Sequence, residues 1–207
     1  QSGARPPHSK ELRYSADGFT PTDGKKKLMK TLLVILIASM IAVVVFTEPS
    51  VVSAQSDAQI STIRAQYASI NKRASRYKRV KKELSGFSLE GGELIAYLNG
   101  PSIVKLVATH YGEMGRSTEE YYYQDEKLIF VFEKTSHYNK PMGRVARSTE
   151  NRYYFNNDRL IRWVDKNGKQ ADTSSEEARS KQKDLLENSN LLSTGARSKN
   201  RTIEHRE

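Results

Sequence analysis

Two stretches of the chain carry nearly the same phrase, EYYYQDEKLIF at 120–130 and RYYFNNDRLIR at 152–162. Tyr121, Tyr122 and Tyr123 align with Tyr153, Tyr154 and Phe155, and Gln124-Asp125-Glu126 aligns with Asn156-Asn157-Asp158. Aromatic and β-branched residues flank a short polar centre in both copies, the pattern of strand, turn and strand. Asn and Asp suit the centre because they tolerate left-handed backbone and bond their own main chain. A looser third copy, GELIAYLNGPSIVKLVATHYG at 92–112, contains the hairpin dipeptide Asn99-Gly100. Three hairpins predict six strands, at 93–98, 103–111, 117–124, 127–134, 148–155 and 159–165. None needs a long crossover, so an antiparallel meander is expected. A lone hairpin is marginal in water, and repeated units supply one another with compatible edges.

Strict alternation places Leu128, Phe130 and Phe132 on one face, with Ile129 and Val131 on the other; likewise Leu160, Arg162 and Val164 oppose Ile161 and Trp163. If a helix covers one face, the other keeps an aromatic strip built from Tyr121, Tyr122, Tyr123, Tyr153, Tyr154, Phe155 and Trp163. That strip is the expected binding surface, because tyrosine combines contact area with a polar tip. The competing reading is cross-strand aromatic packing, worth about 0.2–1 kcal/mol per pair. The connector KTSHYNKPMGRVARSTE at 134–150 is long for a hairpin link, and His137 and Tyr138 on it extend the site as a rim.

Upstream, Ile60, Ile63, Tyr67, Ile70, Ala74 and Tyr77 recur at spacings of three and four, with Leu84 seven beyond, which predicts an amphipathic helix ending at Ser85-Gly86. Its other side bears eight lysines and arginines against Asp57 and Glu83, a net charge of eight minus two, or +6. Such a face can rest on an anionic membrane surface, but a stripe of isoleucine and tyrosine suits packing on a sheet better. Further upstream, KKKLMKTLLVILIASMIAVVVFTEPSVVSA at 25–54 has a basic start, an uncharged run from Thr31 to Thr47 and small residues at Ser53 and Ala54. Residues 29–54 therefore read as a signal peptide. The alternative is a membrane anchor through 31–47, at the short limit for a spanning helix. Both readings place 55–207 outside the cytoplasmic membrane, in the periplasm or beyond, and the anchor makes a single-pass membrane protein. Residues 1–28 read as an upstream or disordered segment.

The net charge of +10 favours anionic partners, although nucleic acid is not expected. A hydrophobic share of 37% indicates a modest core with polar extensions. The chain has no cysteine, which excludes disulfides, thiolate zinc sites and a cysteine nucleophile. Its histidines, His8, His110, His137 and His205, lack metal-ligand spacing, and no nucleophile elbow or phosphate loop is present. Catalytic residues, metal ligands and cofactors are accordingly expected to be none; His110 with Glu113 is the least poor catalytic cluster. Ser174-Ser175-Glu176-Glu177 reads as a capping box opening a short helix to Leu192, with disorder expected over 193–207.

The motifs EGGEL, HYGE, YYYQDEKLIFVFEK and RYYFNNDRLIRWVD resemble those of small exported bacterial proteins of the Bacteroidetes type. That group has no established activity, so the resemblance implies no catalytic residue. The hairpins are also loosely similar to MORN-type repeats, whose units are shorter and richer in glycine.

The expected fold is α+β: a signal or anchor helix, an amphipathic helix, a six-stranded antiparallel meander of three repeated hairpins, and a short C-terminal helix, with 55–192 as the exported domain. The expected function is a non-enzymatic binding module that recognises an envelope protein or glycan through the aromatic sheet face. Alternatives are an inhibitor or immunity protein against a periplasmic toxin or hydrolase, and a glycan-directed hydrolase. Signal cleavage predicts an exported product beginning at Gln55, to be read by mass spectrometry; an intact Thr31–Thr47 segment in membrane fractions identifies the anchor instead.

Overall fold

The computed structural model describes residues 49–205, with side chains from 56 onward. The expected segment 1–28 and the expected signal or anchor lie outside that range, except for 49–54, whose backbone is helical. Among the described residues no helix is long and apolar enough to cross a membrane.

Seven strands follow one another as an antiparallel meander: β1 (Lys78–Ser85), β2 (Gly92–Asn99), β3 (Ser102–Gly112), β4 (Gly115–Gln124), β5 (Lys127–Tyr138), β6 (Val145–Asn156) and β7 (Arg159–Val164). Helix α1 (Pro49–Lys72) and a 3-10 turn (Ala74–Arg76) precede them; helix α2 (Glu176–Arg197) and the short β8 (Thr202–Glu204) follow. β8 pairs in parallel with β1, giving one sheet in the order β7-β6-β5-β4-β3-β2-β1-β8. The six expected strands are present as β2–β7.

The repeat extends to the backbone. Both full copies turn on two residues in left-handed conformation, Asp125 (φ 49°) with Glu126 (φ 62°) and Asn157 (φ 48°) with Asp158 (φ 62°). Such turns match the twist of the flanking strands. The third hairpin turns at Gly100 (φ 60°) and Pro101, between the paired Asn99 and Ser102. Each hairpin then shifts register at the same place. Tyr122 pairs with Phe130 but Tyr123 with Leu128, leaving Ile129 unpaired. Tyr154 pairs with Arg162 but Phe155 with Leu160, and Tyr97 pairs with Lys105 but Leu98 with Ile103, leaving Ile161 and Val104. An inserted residue of this kind re-aims everything beyond it. The strict alternation expected from the sequence is therefore corrected: Leu128 joins Val131 on one face, and Leu160 joins Trp163 there, while Ile129, Phe130 and Phe132 share the other.

Both faces are covered. Ile60, Ile63 and Ile70 of α1 bury Tyr122, Phe130 and Tyr154. On the opposite face Ala178, Leu185, Leu192 and Ala196 of α2 pack over Tyr121, Tyr123, Tyr153, Phe155 and Trp163. A polar cluster ties the end of α1 to the sheet. The nearly buried Lys105 ammonium lies 2.8 Å from Glu120 Oε2 and donates to Asn71 Oδ1 at 3.0 Å; Asn71 Nδ2 donates in turn to the Tyr122 hydroxyl at 3.0 Å. These bonds satisfy charges that would be costly to bury alone.

Three boundaries differ from expectation. The helix expected to run to Ser85 stops at Lys72, and the basic run beyond becomes β1, with Lys82 and Leu84 inward and Arg79, Lys81 and Glu83 exposed. Lys82 sits inward because its ammonium caps α2, donating to the carbonyl oxygens of Ser198 (2.8 Å) and Asn200. A cation there also opposes the negative end of the helix dipole. α2 starts on Ser175, whose hydroxyl accepts from Ala178 N, and runs past Leu192 to Arg197. The expected disorder from Ser193 gives way to helix and to β8, whose Ile203 packs so closely on Gly195 that a Cβ there would lie 2.5 Å from its side chain.

The turns carry a prediction. A non-glycine residue pays a steric penalty in left-handed conformation, so Asp158→Gly, which creates Asn-Gly, should add about 0.5–1 kcal/mol of stability. A higher urea midpoint at unchanged slope is the expected result; a lower midpoint means that Asp158 is not strained.

Candidate functional site

The expected aromatic strip is not a surface. Tyr121, Tyr122, Tyr123, Tyr153, Tyr154, Phe155 and Trp163 are all buried, because consecutive residues on a strand point to opposite faces and a helix lies over each. The tyrosine tips are engaged as well. The Tyr121 and Tyr122 hydroxyls donate to Glu119 and Glu120, two residues back on the same strand. Tyr153 donates to Glu133 Oε2 at 2.9 Å, and Tyr123 shares a 2.8 Å bond with Ser189 of α2. Burial first, and the adjacent carboxylates second, push the Tyr121, Tyr122 and Tyr153 hydroxyls well above the usual phenol range. The raised values keep these hydroxyls in the protonated form that donates to the carboxylates.

Glu119 and Glu133 stand directly opposite each other on β4 and β5. Like charges so placed repel, and Glu133 is relieved by Asn151 Nδ2 at 2.9 Å, Lys181 Nζ at 3.5 Å and the Tyr153 hydroxyl. The carboxylate, only 16% exposed, forms part of the lining of a polar groove of about 620 Å³ beside α2, together with Trp163, Glu177 and Asp184. His110 stacks on Phe87 at 5.6 Å, and its Nδ1 has no hydrogen-bond partner. The expected cluster of His110 with Glu113 is not assembled: Glu113 is exposed in the β3–β4 turn, and its carbonyl holds a loop amide. Among the described residues no group of three or more acidic or histidine side chains could hold a metal.

The exposed apolar surface is elsewhere. Among the described residues the large apolar side chains left exposed are Leu89, Tyr111 (38%), Met114 (51%), Met142 (70%) and Val145 (47%). Tyr111 at the end of β3, Met114 in the two-residue β3–β4 turn, Met142 in the β5–β6 loop and Val145 at the start of β6 lie at the end of the sheet that also carries the β1–β2 connection with Leu89. Main-chain bonds fasten the two loops together: Met142 N donates to Glu113 O at 2.9 Å, and Tyr138 N to Met114 O at 2.8 Å. Met142 is held at φ 51°, a conformation that costs a side-chain-bearing residue about 1–3 kcal/mol and gathers at functional sites. Arg116, Lys140, Arg144 and Arg147, in the same connections and the strand ends beside them, are exposed as well. Of the expected binding residues, only His137 and Tyr138 lie here, half-buried at the end of β5.

One sequence signal points to this end. The tripeptide Met-Gly-Arg occurs twice, at 114–116 and 142–144, and the fold brings the two copies side by side. Hydrophobic periodicity does not detect it, because each methionine stands alone in a polar loop.

No family model, curated protein or solved structure matches the chain. The likeness to small exported bacterial proteins and to MORN-type repeats therefore rests on the quoted motifs alone.

The half-buried His110 gives a pH prediction. Burial lowers the His110 pKa, with Glu119 partly opposing, so the folded state prefers neutral imidazole. Stability from this group is complete above its ordinary value of about 6.5 and is lost as pH falls from there towards the lowered folded value. Thermal unfolding followed from neutral to mildly acidic pH should show this loss, and His110→Gln should flatten it. An unchanged slope in the variant assigns the loss to other groups.

Proposed function

We propose that the chain is a non-enzymatic, exported protein-binding module whose contact surface is the pair of Met-Gly-Arg loops at the open end of the sheet. The observation that carries this reading is the exposure of Met114 and Met142 on two connections bonded to each other, with exposed Tyr111 and Val145 at the adjoining ends of β3 and β6. Apolar side chains exposed in this way with cations beside them are the usual composition of a protein contact. Methionine adapts its shape to a partner. The accompanying arginines favour an envelope protein with an apolar hollow and an acidic border.

The inhibitor reading is a narrower form of the same proposal, in which the hollow is the active-site cleft of a toxin or hydrolase. The end position of the β5–β6 loop favours it. The hydrolase reading has its own motive in the opposed carboxylates of Glu119 and Glu133, a two-carboxylate arrangement that sugar-cleaving enzymes use.

Envelope extract passed over the immobilised chain tests the proposal. Met114→Ser with Met142→Ser should abolish retention of the specific partner, while shifting the melting temperature little, since substitutions of exposed side chains usually change stability by about 0.5 kcal/mol or less. Identical retention by the double variant sinks the reading. Loss of glycan cleavage in Glu133→Gln, where the parent cleaves, would establish the hydrolase instead.

A further inference from the structure

β1 presents a second surface, unrelated to the loops. On one side it pairs with β2 along nearly its whole length, from Lys78↔Leu98 to Leu84↔Gly92. On the other side β8 reaches only Glu83, Leu84 and Ser85. There the Glu83 amide donates outward to Arg201 O at 3.0 Å, and Ser85 O accepts from His205 N at 2.9 Å. Main-chain direction alternates along a strand. The N–H and C=O groups of Arg79 and Lys81 therefore point outward too, and among the described residues no strand pairs with them.

The open edge is strongly basic. Lys78, Arg79 and Lys81 are exposed, with Arg76 just before them. Charged edge strands guard against uncontrolled pairing. A second copy of β1 laid along this edge would set cation against cation, whereas an acidic strand would meet opposite charge. The alternation specifies more: cross-strand neighbours share a face, so carboxylates belong opposite Arg79 and Lys81, and an apolar residue belongs opposite Val80, which is half-buried against the α2-side core. Lys81 already holds a carboxylate on its face, Glu93 at 2.6 Å.

We propose that the outer edge of β1 from Lys78 to Lys81 takes up an extended acidic peptide segment as an added strand in line with β8. β8 is the internal precedent, a three-residue segment held on the same edge. Main-chain bonds supply affinity in this mode, and side chains at alternate positions supply specificity. Anionic lipid or nucleic acid would be drawn by the same charges but has no main-chain groups to pair with Arg79 and Lys81.

The test uses the purified chain and a capped hexapeptide alternating Glu and Val, with binding read by fluorescence anisotropy at low salt. Arg79→Pro removes an outward N–H, which an edge position tolerates, and should weaken binding roughly tenfold beyond the loss caused by Arg79→Ala. Hydrogen exchange at the Arg79 and Lys81 amides should slow when the peptide is bound. A peptide N-methylated at alternate residues, which cannot complete the ladder, should fail to bind; this arm holds even if Arg79→Pro folds poorly. Equal binding by the methylated and parent peptides overturns the proposal. Absence of binding by the parent peptide overturns it as well, as does charge-driven binding alone, with Arg79→Pro and Arg79→Ala alike and anionic vesicles competing.

Discussion

Three adjacent aromatic residues on a strand cannot all point the same way. The pleat sends the middle ring to one face and the outer two to the other, so Tyr121–Tyr123 and Tyr153–Phe155 make both faces of the meander apolar. A sheet with two apolar faces needs two covers, and that requirement accounts for the three-layer arrangement. α1 closes over Tyr122 and Tyr154; α2 closes over Tyr121, Tyr123, Tyr153 and Phe155. The hydroxyls then need partners in a place without water, and Glu119, Glu120, Glu133 and Ser189 supply them. The carboxylates that look like surface decoration in the sequence are the acceptors for the core tyrosines.

The hairpins were legible because their determinants are local: turn residues that accept left-handed backbone, flanked by aromatic and β-branched residues. The stripe from Ile60 to Ile70 was legible for the same reason. The inserted residues Val104, Ile129 and Ile161 were not, since a bulge exists only relative to the strand opposite and a single strand's sequence does not contain it. β1 was hidden by Lys82. A lysine at an inward position breaks the alternation that marks a strand, and only the carbonyls at the end of α2, more than a hundred residues later in the chain, explain it. β8 was hidden more completely, because Thr202–Glu204 owe their conformation to the edge they lie on rather than to their own composition.

The same division explains why the aromatic strip was misplaced as a binding surface. Aromatic residues mark both cores and contacts, and sequence alone does not say how many faces of a sheet are covered. Burial along the strands is concentrated near the tight turns: in β4 and β6 the fully buried positions are the last aromatic triplets, and the opposite ends stay open. Over β4 and β6 the helices cover the end near the tight turns, while over β1 and β2 the core reaches Leu84 and Leu94 at the opposite end. At that second end Met114 and Met142 stand out by exposure rather than by periodicity.

From β1 to β7 every strand lies beside its predecessor, so each can dock as it leaves the ribosome, with little entropy spent on closing long loops. The return of β8 to β1 breaks this sequence. β1 waits for residues made more than a hundred positions later, and the Lys82 ammonium waits with it for the carbonyls of Ser198 and Asn200. The nascent sheet can grow at one margin as β2 to β7 are made, but its other margin is sealed, and then only in part, once Thr202–Glu204 have been made. A nonsense codon between Ser198 and Thr202 would leave a molecule with its hairpins and helices intact and that margin unsealed.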